Sequence, residues 1–371
     1  MSSSTEGLSS AGPRVLVLDC LRLAAMLLMI QGHTLDALMD PALVDLGGFP
    51  WRYWAELRGL TAPLFMLVSG AATVLGIRYE ADGRPSRAML RRRVWTAVTV
   101  SGIGYLMVFP ADRLVDLPWV SAGQWRASLQ VHILQLNGAA LLLLTALLAR
   151  VRTVRRYVAW SLGLGVLILL AAPAVAGAPW FRWLPEGLAA FLSFEHGSTF
   201  PLFPTSAYLF LGVGLGALAK AAPERLPLAC LGGGAGSLLV ALAAGRLAAG
   251  PAGYRHTFGQ LGCTLLLAGL LGWAVARRPG FAARWAPLGR HSLLVYVGHL
   301  VLIFGTPWTV GLATGRFHGL GAGAAALCVP LVGGATFAAM LLWVWIRRRT
   351  RHLAVLVPAA MTLALACGLV W

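Results

Sequence analysis

The sequence is poor in charge. Only 12% of its 371 residues are Asp, Glu, Lys or Arg, and the acids number just 13. A water-soluble domain carries about 25% charged residues, so a soluble globular fold is excluded, as is a charge-rich disordered chain. Cysteine is scarce too. Cys20, Cys230, Cys263, Cys328 and Cys367 all sit in apolar runs, and no CxxC pair occurs. That excludes zinc-finger spacing and a disulfide framework and leaves them as small buried hydrophobes. H-E-x-x-H, paired carboxylates and a Cys/His cluster are all missing, so no metal is expected. The opening residues lack a basic stretch, and the apolar run after them is too long for a signal-peptide core. Residues 1–13, MSSSTEGLSSAGP, read as a disordered tail ahead of one membrane domain over 14–371.

What is present is apolar: 58% of the chain, with a mean hydropathy of +0.75. A spanning helix needs about 20 such residues. Eleven stretches qualify: 15–35, 55–77, 94–109, 131–149, 158–176, 202–219, 228–245, 258–276, 288–305, 321–346 and 353–371. The expected fold is therefore all-α, a polytopic membrane helix bundle of about eleven transmembrane helices. Twenty-one of the 30 basic residues fall at Arg14 and in alternate loops: 78–93, 150–156, 220–227, 277–290 and 347–351. Basic residues collect on the cytoplasmic side, which puts the N-terminus inside and suits a cell (inner) membrane. The opposite loops balance their acids and bases, so the whole net charge of +17 sits on one face. That pattern serves topology and attraction to anionic lipids, not nucleic-acid binding. The 44 glycines, as in LGVGLGAL (211–218), fit close helix packing. No inverted repeat of the secondary-transporter kind is evident.

Charged and polar residues inside the bilayer are costly and mark function or a structural pair. In the first span, Asp19, Arg22, His33 and Asp36 share one stripe about 100° wide at helical period. Asp19 and Arg22 lie near the inner end and can neutralise each other as an i,i+3 pair. His33 lies about 27 Å along the helix, near the outer end, with Asp36 one turn on. A neutral imidazole beside a carboxylate can take a proton from a nucleophile; equally, His33 can be an interfacial histidine bonded to a carbonyl. Pro63 should kink the second span and free a carbonyl, and Ser69 follows it. In the fourth span Gln135 and Asn137 point about 200° apart, so they cannot face one site. Ser292, Tyr296 and His299 lie within about 60° of each other in the ninth, with His299 near the midplane.

Four segments together resemble the heparan-alpha-glucosaminide N-acetyltransferase family: RVLVLDCLRLAAMLLMIQGH, TAPLFMLVSGAA, STFPLFPTSAYLFLGVGLG and LGRHSLLVYVGHL. The first and last are also similar to the related acyltransferase 3 family. Leu23 stands where the family pattern has Gly. The resemblance implies acetyl-CoA or another acyl-CoA as donor from the cytoplasmic side, and a hydroxyl or amine acceptor, often a carbohydrate, on the outer side. It implies that a histidine in or just after the first helix activates the acceptor, a role that falls to His33, with Asp36 tuning it. Arg22 and Arg290, with Arg14, are the candidates for the donor phosphates, which bidentate guanidinium groups bind well. Asp19, Ser69, Gln135, Ser292, Tyr296 and His299 are expected to line the channel, and an oligomer is compatible with such a bundle. The same embedded His, Asp and Arg would also serve a proton-coupled transporter of a small polar solute or lipid-linked precursor.

Overall fold

The computed structural model describes residues 16–245, 250–306, 308–350 and 352. Arg14, Cys367, the 1–13 tail and the eleventh expected span, 353–371, lie outside them. The main helices are α1 (Leu16–Leu38), α2 (Trp51–Gly59), α3 (Thr61–Leu75), α4 (Arg87–Met107), α5 (Ile133–Arg150), α6 (Val154–Ala176), α7 (Leu202–Ala221), α8 (Leu226–Ala244), α9 (Tyr254–Arg277), α10 (Ser292–Phe304) and α11 (Ala322–Arg349). The one sheet among the described residues is a two-stranded hairpin, β1 (Gly305–Thr306) with β2 (Thr309–Val310). The molecule is thus a polytopic helical membrane bundle, as a lipid environment demands when every backbone polar group must be satisfied internally.

Nine helical segments among the described residues are long and apolar enough to cross a membrane. They correspond to nine of the eleven expected spans. The expected span at 94–109 is part of α4, which starts seven residues earlier. Its four arginines, Arg87, Arg91, Arg92 and Arg93, dilute its apolar character, yet it runs the height of the bundle. At one end Arg93 bonds the carbonyl of Thr73, at the inner end of α3. Beyond the other, Trp308 in the β hairpin donates to the Asp112 carbonyl at 2.8 Å.

The expected break at Pro63 falls just before the proline. The chain bends at Leu60 between α2 and α3, so Pro63 occupies the first turn of α3, where no N–H is needed. The carbonyl its ring frees, that of Gly59, faces the Gln260 side-chain amide at 3.5 Å. Four buried hydroxyls are satisfied within their own helices: Thr34, Thr145, Ser206 and Thr336 each donate to the carbonyl four residues back, at 2.7 Å.

α1 is central, touching α3, α9, α10, α11 and the 3-10 turn Ala286–His291. α7 is also internal, with 67% of its apolar window buried, against 22% for α6 and α11 at the periphery. Small residues set these contacts. A Cβ on Gly70 would meet the Leu209 backbone, and one on Gly212 or Gly216 would meet the Leu67 or Ala71 backbone. α3 and α7 therefore approach to backbone contact.

Candidate active site

Two clusters occupy opposite ends of α1. The first is ionic. Asp19 Oδ1 accepts from Arg22 Nη1 at 2.8 Å and Oδ2 from Arg290 Nε at 3.3 Å. The i,i+3 spacing brings Arg22 to Asp19, whereas Arg290 arrives from the turn that leads into α10. Gly289 permits that approach, since a Cβ there would run into the Asp19 carbonyl. One carboxylate thus holds two guanidiniums side by side, and the trio keeps a net positive charge with N–H groups to spare.

The second cluster lines a cavity of about 640 Å³ at the other end. Its walls are the last turns of α1, α4 and α10, the α2–α3 bend, and the starts of α5 and α7. The orientation expected from the loop charges would put this end on the outer side. His33, Asp36, Arg58, His132, Gln135 and Gln260 supply its polar groups, and Phe65, Tyr296, Phe200 and Phe304 its apolar ones. The lining reaches no deeper than Leu28, Met29, Phe65 and Tyr296. Below them Leu21, Ala25 and Met26 are packed, and Arg22 is about 16 Å along the helix from His33.

His33 and His299 form a direct pair: His33 Nδ1 lies 2.9 Å from His299 Nε2. The ring planes differ by 4° with centroids 5.2 Å apart. At that separation a 2.9 Å N–N contact is edge to edge and in line, which is hydrogen-bond geometry, not face stacking. His299 is fully buried, and its Nδ1 is 2.9 Å from the Val295 carbonyl. His33 Nε2 has no protein partner among the described residues, and His33 lines the cavity.

Asp36 behaves differently from the sequence expectation. Its carboxylate pairs with Arg58 of α2, and the imidazole's partner is His299. Arg58, which also lies over the Trp54 ring with its carbon 5.1 Å from the centroid, is a cavity residue that the sequence reading left without a role. His132, just before α5, also lines the cavity; its Nδ1 is 3.4 Å from the Thr199 hydroxyl.

Of the six residues expected to line a channel, Gln135 and Tyr296 line this cavity. Gln135 is 1% exposed and neither amide atom has a hydrogen-bond partner among the described residues; Gly104 of α4 leaves the room its side chain fills. His299 stands behind His33. The other three lie off the cavity. Ser69 donates to Asn137 Oδ1 at 3.0 Å, on the face of α3 turned to α5, Asp19 belongs to the inner ion cluster, and Ser292 begins α10 two turns below His299.

No curated protein matches the chain. The family described as "Heparan-alpha-glucosaminide N-acetyltransferase, catalytic" matches residues 14–244, which include α1 with both His33 and Arg22 but end before α10. This match covers more than half of the sequence, and the chain belongs to the heparan-alpha-glucosaminide N-acetyltransferase family of membrane acetyltransferases.

Proposed function

We propose that this protein transfers an acetyl or other short acyl group from cytosolic acyl-CoA to a hydroxyl or amine at the outer face of the cell membrane, with a carbohydrate as acceptor. The observation that carries the reading is His33, an imidazole with one nitrogen engaged by His299 and the other unpartnered, lining a cavity in a chain of an acetyltransferase family.

Each part of the chemistry has a residue. Arg22 and Arg290, set side by side by Asp19, hold donor phosphates at the inner end, with Arg14, eight residues ahead of Arg22 in the sequence, as a third candidate. Between that level and the cavity Leu21, Ala25 and Met26 are close-packed, so the pantetheine arm reaches His33 only when these side chains part to admit it. In the cavity His33 Nε2 accepts the proton of the acceptor O–H or N–H as its oxygen or nitrogen attacks the thioester carbonyl. The C–S bond breaks, and the proton on His33 passes to the departing thiolate. An acyl ester or amide and free CoA thiol result. General-base help of this kind contributes typically about 10²–10⁴ in rate. Asp36 keeps Arg58 in place at the cavity wall, and the unpartnered Gln135 amide meets polar groups of the acceptor.

A proton-coupled transporter would use the same embedded groups, but the family match favours transfer. Purified protein given acetyl-CoA and glucosamine, a probe offering hydroxyls and an amine, tests the choice: the acyltransferase releases free CoA thiol above the background without protein, and a transporter releases none.

A further inference from the structure

We propose that His299 is a positioning residue that fixes the tautomer of His33. This rests on the reading of His33 as the proton acceptor.

The hydrogen-bond chain starts at one backbone carbonyl. Val295 O can only accept, so His299 Nδ1, 2.9 Å away, carries a hydrogen. In a neutral imidazole the other nitrogen is then an acceptor. That nitrogen, Nε2, faces His33 Nδ1 at 2.9 Å. His33 therefore donates from Nδ1, and its proton-free nitrogen is Nε2. The opposite tautomer of His33 would set two lone pairs against each other. The near-coplanar rings place the N–H of one along the in-plane lone pair of the other. Full burial of His299 keeps water from competing for either bond. Tyr296, edge-on to His299 with centroids 5.7 Å apart, holds the ring from a second side. A helix-borne carbonyl on α10 is thus relayed through two imidazoles to the cavity, as second-layer partners orient histidines elsewhere.

The test combines kinetics with nitrogen NMR of histidine-labelled protein. The His33 resonances, assigned by their loss in His33→Gln, are expected to show a protonated Nδ1 and an unprotonated Nε2. His299→Leu removes the acceptor and should lower kcat about 10- to 100-fold, leave KM for acetyl-CoA within about twofold of wild type, and give His33 a mixture of tautomers. His299→Gln, whose side-chain oxygen can accept from Nδ1, should recover most of kcat. A wild-type His33 protonated at Nε2 would overturn the proposal even if His299→Leu does not fold. So would a folded His299→Leu with wild-type kcat and a single unchanged tautomer. If His33→Ala itself retains turnover, the underlying reading of His33 fails instead, and the NMR result still reports on the tautomer.

Discussion

At the scale of single residues, two unsatisfied or strained balances make predictions. A buried amide without partners costs about 1–3 kcal/mol, and Gln135 is such a group. Gln135→Leu should therefore raise the melting temperature of the acceptor-free protein while raising KM for the acceptor; a melting temperature that falls with KM unchanged would assign Gln135 to packing alone. Asp19 carries the opposite sign. Its side chain is 10% exposed and faces two arginines that are 23% and 35% exposed. Asp19→Ala leaves two neighbouring cations uncompensated and should destabilise the protein by roughly 1–3 kcal/mol, less than the 3–5 of a fully buried pair, seen as a lower melting temperature. Asp19, Arg22, His33, Asp36, Gln135 and His299 were legible in the sequence because helical period and hydrocarbon cost single them out, whereas Arg58, His132 and Gln260 were not. Nor were the long-range pairings among them. His33 and His299 are 266 positions apart, and only the packing of α1 on α10 joins them. Asp36 looked like the natural companion of His33 at i+3, but a guanidinium at the α2–α3 bend outcompetes a neutral imidazole for a carboxylate. Gln135 and Asn137 did separate as their 200° offset requires, one to the cavity and the other to Ser69.

At the scale of elements, the decisive feature is how closely helices approach. Gly212 of α7 has no space for a side chain against Leu67 of α3, whereas a Cβ on Gly236 of α8 would meet no atom of the described residues within 4 Å apart from its own helix backbone. Gly212→Leu should lower the melting temperature and the folded yield, while Gly236→Ala should be neutral or gain up to about 1 kcal/mol from helix propensity. Equal losses for the two variants would remove the packing argument. Element existence was readable wherever 18 or more apolar residues follow one another. α4 was shortened in the reading because its arginines mask a helix that continues past them. The second span reads as one rod with a kink, but the proline lets the chain restart as α3, and the freed Gly59 carbonyl brings Gln260 to the cavity rim. Small-residue runs such as LGVGLGAL were recognisable as packing faces; which helix they pack on depends on the three-dimensional arrangement of α3 and α7.

At the scale of the whole molecule, the orientation expected from the loop charges makes the proposed function vectorial, with the cationic cluster toward the cytoplasm and His33 toward the outer side. In a cysteine-free background, Asp116→Cys should react with a membrane-impermeant thiol reagent added to intact cells, and Asp82→Cys should react only after permeabilisation. The reverse pattern would invert the orientation and with it the assignment of donor and acceptor sides. The central claim is that acyl transfer runs through His33. The measurement that tests it most directly is turnover by purified His33→Ala in lipid, compared with wild type at equal folded amount, reading CoA thiol released from acetyl-CoA in the presence of glucosamine. The account predicts a loss of about 10²–10⁴ in kcat with an unchanged melting profile; wild-type turnover in the folded variant would contradict it.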